Sequence, residues 1–290
     1  MKNIKLNYRM SRKQKLGPKS LLLCLVSFLW FMTIPLCAQQ REPYIAFKSG
    51  EQAQYSLYYN WNFIWVNAGM ALLHTEKTSY QGESMYKVKM MTKGSHTTDR
   101  FFVLRDTLTS IIDRDVRPYY YSKYAHEGKD FRIDEIHYSY TDTAVHLVQS
   151  RLYEKHDPYY GTYQDTGKVY DMLSFFMWAR SIKADQFKMG ERINFKMATG
   201  RKVEKQTIIY QGRRITALKN KEKYACMVFS FVEKEKGKSS EHEVVRFYVT
   251  DDKNHLPIRL DMFLSFGTAK AFLDHVEGHK YPFTSKITKP

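Results

Sequence analysis

The sequence has little cysteine, with only Cys24, Cys37 and Cys226 among 290 residues. The first two lie in a segment that we expect to be removed as a leader, which leaves Cys226 alone. Because a disulfide needs two cysteines, the remaining chain must be held together by a packed core. We interpret Cys226 as a buried free thiol, since no motif beside it would activate a thiolate.

Several motifs that carry chemistry are absent: a P-loop, G-x-G-x-x-G, G-x-S-x-G and H-E-x-x-H do not occur. Within residues 275–279, His275 and His279 would share a face only in a helix, and Gly278 argues against one. Asp130, Asp134 and Glu135 are acids that could pair as glycosidase carboxylates do, although acids on strand faces are usually solvated. We therefore predict no metal, no cofactor and no catalytic residue.

Acidic residues are missing from the first 38 positions, where seven basic side chains precede an apolar run. That run, from Leu21 to Leu36, has 16 residues and is shorter than the roughly 20 needed to cross a bilayer. This order is typical of a signal peptide, and Ala38 offers a small residue for cleavage. We expect residues 1–38 to be removed, although lipidation of Cys37 or a retained anchor stays an alternative.

Removal of the leader would leave 39 basic and 30 acidic side chains, a net charge of +9. Residues 196–238 hold twelve basic and four acidic residues, and so carry nearly all of that excess. Clustered cations attract anionic lipid headgroups or acidic glycans. The alternative is that lysines at hairpin tips only keep strand edges soluble. An exported protein of this kind is not expected to meet nucleic acid.

Residues 39–290 show no repeat, low-complexity tract or linker, so we predict a single β-rich domain. Alternation with period two is the dominant pattern, as in residues 86–90 and 258–262. Turn signals recur every 8 to 12 residues or so. The fold class predicted is mainly β: a curved antiparallel sheet or incomplete β-barrel of about a dozen strands.

One segment departs from the strand pattern. From Asp171 to about Ile182 the apolar residues recur at helical spacing and cover most of the circumference, which predicts a buried helix that Asp171 caps. Arg180 near its end needs a carboxylate or carbonyl partner, because an unpaired buried charge is costly. The preceding residues 156–168, rich in Tyr, Gly and Asp, are interpreted as a long loop.

Several short motifs, in their order and spacing, resemble a family of exported proteins known as the domain of unknown function 3108 family. The motifs are Phe47-Lys48-Ser49-Gly50-Glu51, Asn67-Ala68-Gly69-Met70-Ala71, Phe101-Phe102 with Asp106, Asp171-Met172-Leu173-Ser174 with Arg180, and Thr250-Asp251-Asp252 with Leu256-Pro257-Ile258. The resemblance spans roughly residues 45–275. It implies an envelope protein with a barrel-like body, and it implies no reaction. Gly50 and Gly69 are interpreted as positions of special backbone geometry.

Tyrosine and tryptophan offer apolar faces with polar tips, which suit sugars or the mouth of an amphiphile pocket. The candidate ligand-binding residues are Tyr59, Trp61, Trp65, Tyr121, Lys219, Lys221 and Lys223. The alternative is that the aromatic rings only fill a β core.

The leading hypothesis is a non-catalytic periplasmic or envelope protein that binds an amphiphilic or glycan ligand. The second hypothesis is an assembly factor that recognises an envelope protein through an exposed strand edge. A glycan-active enzyme that uses paired carboxylates is the third. The sequence leaves the oligomeric state open.

Overall fold

The structure is a computed structural model that describes residues 44–61, 64–182, 187–234, 240–264 and 267–287. All of these residues belong to one compact unit, Pro43–Pro290. The predicted leader, residues 1–38, lies outside the described residues, and so does its cleavage site.

The described residues form sixteen strands and two helices. In chain order the strands are β1 (Glu51–Trp61), β2 (Ile64–Tyr80), β3 (Glu83–Gly94), β4 (Leu104–Ile112), β5 (Pro118–Glu127), β6 (Asp130–Tyr140), β7 (Val145–Tyr153), β8 (Tyr159–Asp165), β9 (Val169–Tyr170), β10 (Arg192–Ala198), β11 (Val203–Ala217), β12 (Lys223–Lys234), β13 (Glu241–Thr250), β14 (Pro257–Leu264), β15 (Gly267–Glu277) and β16 (Lys286–Ile287), and the helices are α1 (His96–Asp99) and α2 (Met172–Arg180).

Two meanders make up the sheet. Strands β1 to β8 pair in chain order, strands β10 to β15 do the same, and β1 pairs with β15 to join them. The pairing is antiparallel except between β9 and β10. Strand β16 pairs with β12, off the main path. The result is a nearly closed, barrel-like sheet, so the mainly β fold class is confirmed.

The two end regions of the sheet contact each other through side chains of β7, β8 and β10. Lys196 Nζ of β10 lies 2.5 Å from the Asp165 carboxylate at the end of β8. In addition, Arg151 Nη2 of β7 donates a hydrogen bond of 2.7 Å to the carbonyl of Thr199, which follows β10. The prediction of a loop over residues 156–168 is wrong in its middle, because residues 159–165 form β8, which pairs with β7.

Helix α2 is buried, as expected. Asp171 caps its N-terminus and accepts hydrogen bonds of 2.9 Å from the backbone N–H groups of Leu173 and Ser174. Leu173 packs in the main core of the barrel, while Phe175 stacks on Phe195 of β10 with ring centroids 3.7 Å apart. The helix thus joins two parts of the core.

The charge on Asp171 makes stability depend on pH. This carboxyl is fully buried, and burial raises its pKa to about 6 although the cap donors lower it. The folded protein therefore holds a proton that the unfolded chain, with an aspartate pKa of about 3.9, has lost. The protonated Asp171 carboxyl therefore contributes to the free energy of unfolding, and this contribution is fully present below about pH 4 and is lost as pH rises through about 6.

We expect Asp171→Asn to remove this loss, because the amide oxygen still accepts from the helix N–H groups without burying a charge. The free energy of unfolding, measured with urea, should fall less between pH 4 and 6 in this variant than in the wild type, by up to about 3 kcal/mol. Asp171→Ala is the matched control, which removes both the charge and the cap. An Asn variant with the same pH dependence as wild type would contradict this assignment.

Cys226 is completely buried in β12. Burial raises the pKa of its thiol to about 11. At neutral pH the sulfur is therefore protonated and inert as a nucleophile.

Candidate functional site

A cleft of about 260 Å³ lies over strands β1, β2 and β15 and is lined by Tyr58, Trp65, Lys219, Lys270 and Phe272. Tyr58 and Lys270 are direct partners across β1 and β15. Phe272 is two residues further along β15, and therefore shares their face of the sheet. Trp65 joins the same face from β2, opposite Asn60.

Each lysine of the cleft lies over an aromatic ring. Lys270 Nζ is 4.3 Å from the centre of the Trp65 ring system, and Lys219 Nζ is 4.0 Å from the Tyr58 ring centre. Lys219 also donates a hydrogen bond to the Tyr58 hydroxyl. Phe272 meets Tyr58 edge to face at 6.0 Å. These cation–π contacts hold both ammonium groups at the cleft.

Within the described ranges, neither lysine has a carboxylate at ion-pair distance. The neighbouring Arg259 differs, because its Nε and Nη2 donate to Asp261 at 2.8 and 2.7 Å. The excess positive charge of the cleft therefore comes from Lys219 and Lys270. Such a site can accept an anionic group against an apolar floor.

The structure brings together two of the predicted ligand-binding residues, Trp65 and Lys219. Tyr59 is not a lining residue, because it follows Tyr58 in β1 and therefore points to the face of the sheet opposite the cleft. Tyr58 takes that place instead. Tyr59 and Trp65 do not belong to one strand, since β1 ends at Trp61 and Trp65 lies in β2. The side chain of Trp61 lies outside the described residues.

Tyr121 belongs to the core rather than to the cleft. Its side chain is 3% exposed, and burial raises the pKa of its hydroxyl well above the ordinary value. Lys221 and Lys223 are exposed on the β11–β12 hairpin that also carries Lys219, but they do not line the cleft.

A second polar cluster lies in the interior. Arg180, at the end of α2, donates hydrogen bonds of 2.5 and 3.1 Å to the Glu51 carboxylate, and both side chains are almost fully buried. Arg180 Nη2 also donates to the Asn254 carbonyl at 3.2 Å. His255 Nδ1 lies 2.7 Å from the Arg180 carbonyl. This cluster ties the start of β1 to α2 and to the turn before β14.

The two glycines singled out in the sequence have backbone conformations that favour glycine. Gly50 has φ +88° and its N–H donates to the Thr75 carbonyl at 2.8 Å, directly before Glu51. Gly69 has φ +147°, and a Cβ there would collide with the Lys93 carbonyl oxygen of β3. Both positions serve the fold rather than the cleft.

Among the described residues, no group of three or more His, Cys, Asp and Glu side chains is arranged to hold a metal ion. Of the candidate glycosidase acids, Asp134 is buried in an ion pair with Arg151, and Glu135 accepts a hydrogen bond of 2.8 Å from Tyr120. They are consecutive in β6 and so point to opposite faces of the sheet. Neither helix in the described part of the chain is long and apolar enough to cross a bilayer.

Comparison with known families gives a match over residues 54–274 to the family described as "Protein of unknown function (DUF3108)". The chain belongs to this family. The resemblance noted in the sequence is thereby confirmed. No curated protein matches the chain.

Among solved structures, the DUF3108 chain is similar to a beta-barrel-like protein of domain of unknown function DUF1849 from Brucella abortus. The TM-score is 0.53 at 10% identity, and the match covers 80% of this chain and 98% of that one. This likeness shows the barrel-like fold alone. A putative exported protein with YmcC-like fold from Bacteroides fragilis matches at 7% identity over 81% of this chain and 98% of that one, but its TM-score is only 0.33.

Sequence reasoning missed three lining residues of this DUF3108 domain: Tyr58, Lys270 and Phe272. Alternation in residues 267–274 does place Lys270 and Phe272 on one face. Their position beside Tyr58 depends on the pairing of β1 with β15, which are far apart in the chain. A search for lysines two residues from an aromatic residue in strand-like segments would have found this pair.

Proposed function

We propose that the protein is an exported, non-catalytic envelope protein whose cleft binds the anionic headgroup of an amphiphile or an acidic glycan. The observation that carries the proposal is the pair Lys219 and Lys270, which lie over aromatic rings and have no carboxylate partner in the part of the chain that the structure describes. The basic leader and its apolar run support export, since they have the order of a signal peptide.

The chemistry of the cleft selects a class of ligand. Two ammonium groups can each donate to a phosphate or carboxylate oxygen, and such charge-assisted bonds are stronger than neutral ones. The rings of Trp65 and Phe272 can pack against a sugar or the first carbons of a lipid. A volume of about 260 Å³ suits a headgroup or a single sugar, since pockets that bind drug-sized ligands measure roughly 300–1,000 Å³.

We expect saturable binding of a phosphate-bearing headgroup in isothermal titration calorimetry. The two probes are dihexanoyl phosphatidylglycerol below its micelle concentration and glucose 6-phosphate, which separate a lipid from a sugar source. Lys270→Ala should weaken binding at least about tenfold, because a charge-assisted bond is lost. Trp65→Ala should weaken it at every salt concentration, whereas the effect of Lys219→Ala should shrink as salt screens the charge.

The matched control is Lys221→Ala, which removes the same charge from the same hairpin outside the cleft. It should leave both affinities close to wild type, with circular dichroism confirming the fold of every variant. Absence of saturable binding to either probe by folded wild-type protein would contradict the proposal.

The assembly-factor hypothesis ranks second. It would use the free edge of β8, the end strand of the sheet. Lys196 of β10 and Arg201, which follows β10, already contact β8. The Arg201 guanidinium lies over the Tyr159 ring at 5.9 Å. A partner strand would have to displace these contacts, and the cleft is therefore favoured.

A further inference from the structure

One end of the barrel exposes a set of apolar side chains. Strand β2 begins there and β14 ends there, and the order β2-β1-β15-β14 places the β1–β2 and β14–β15 hairpins side by side. The exposed apolar residues of these hairpins are Ile64 (67% exposed), Trp65 (41%), Val66 (37%), Phe263 (37%) and Leu264 (40%). We call this set the apolar rim.

Helix α1 extends the same end of the barrel. Ser95, its cap, donates from its backbone N–H to the Ala68 carbonyl at 2.9 Å and from its hydroxyl to the Asn67 carbonyl at 3.0 Å. The helix is therefore fixed beside the beginning of β2. Phe101 and Phe102 follow it, and both are exposed.

Cations accompany the apolar rim. Lys270 lies over the Trp65 ring, and Lys219 lies across the same cleft. Arg100, next to Phe101, and Lys129, in the β5–β6 turn, are exposed. Gly128 of that turn lies against the Phe102 ring, so these charges belong to the same end. The charge of this surface is complementary to an anionic partner.

We propose that this end of the barrel docks onto an anionic lipid bilayer, with the apolar rim inserted among the headgroups and the cations contacting phosphates. Aromatic and aliphatic side chains flanked by Lys and Arg are the composition that partitions into the bilayer interface. The rim lies on separate hairpin ends rather than on one flat face, which suits insertion into a fluid surface. Docking goes beyond headgroup binding and does not depend on it, although it would place the cleft at the bilayer–water boundary.

The test is sedimentation of the protein with vesicles of phosphatidylcholine alone or with about 30% phosphatidylglycerol. Wild type and variants are all produced in the cells that make the protein naturally, so that each undergoes the same processing of its N-terminus. We expect binding to the anionic vesicles that weakens with salt. The double variant Ile64→Ser/Leu264→Ser should lower the partition coefficient at least about tenfold, because two inserted aliphatic side chains are lost.

The matched control is Val148→Ser/Ile215→Ser, which removes two exposed aliphatic residues (57% and 68%) from other parts of the sheet. It should bind vesicles as the wild type does. Equal losses in both double variants, or no loss in the rim variant, would overturn the proposal. Light scattering without vesicles provides a further check, since a dimer abolished by the rim substitutions would show a self-association surface instead.

The rim variant also separates the two proposals. It should bind dihexanoyl phosphatidylglycerol or glucose 6-phosphate with wild-type affinity, because Lys219 and Lys270 are intact. Lys219→Ala should lower that affinity while vesicle docking through the rim persists. The failure of one proposal can therefore be recognised independently of the outcome for the other.

Discussion

Replacing Arg180 with Ala is expected to lower the free energy of unfolding by about 3–5 kcal/mol. The guanidinium group makes two hydrogen bonds to the Glu51 carboxylate in a site that excludes water. Removing it leaves Glu51 as an uncompensated buried charge and leaves the Asn254 carbonyl without its donor. A loss of this size is a large part of the roughly 5–15 kcal/mol that stabilises an ordinary domain.

Chemical denaturation followed by far-UV circular dichroism measures this effect. The double variant Glu51→Leu/Arg180→Met is the matched control, because it removes both charges and fills their space with apolar atoms. It should recover much of the lost stability, since a buried ion pair often contributes little over an apolar replacement. A single variant that loses less than about 1 kcal/mol would show that Glu51 is hydrated or differently paired.

The features predicted correctly from the sequence are those set by local spacing. Alternation with period two requires only neighbouring residues, and it gave the mainly β class. The buried helix was visible in the same way, because Asp171 and Ser174 lie in one turn and the apolar stripe follows them. Family membership was likewise visible, because the motifs keep their order along the chain.

The partners of these residues were not visible, because they depend on long-range pairing. Arg180 was expected to need a partner, but Glu51 lies 129 positions earlier in the chain. The cleft also combines β1, β2 and β15 with the β11–β12 hairpin. Tyr58 and Tyr59 point to opposite faces of β1 by ordinary alternation, and no local pattern marks which of these faces borders the cleft.

Strand β8 shows why composition alone misleads. Gly161 and the nearby Asp and Tyr residues are common in loops, and we therefore expected a loop there. Pairing with β7 over residues 145–151 supplies backbone partners that the sequence does not reveal. Tertiary context therefore overrides local preference in this segment.

Replacing Phe175 with Ala is expected to lower the free energy of unfolding by about 3–5 kcal/mol. Its ring is only 6% exposed and stacks on Phe195 at 3.7 Å, with planes within 10° of parallel. Tyr170 and Trp178 approach the same ring at 6.3 and 5.6 Å. Truncation would leave a cavity between α2 and β10 that these three aromatic rings cannot close without losing their own contacts.

Chemical denaturation again measures the loss, and Met172→Ala is the matched control on the same helix. Met172 is 45% exposed, so its truncation should change stability by no more than about 0.5 kcal/mol. Trp178→Ala should fall between the two, because Trp178 is only partly buried. If Phe175→Ala were as mild as Met172→Ala, α2 would not be packed against β10, and the closure of the core around this helix would have to be reconsidered.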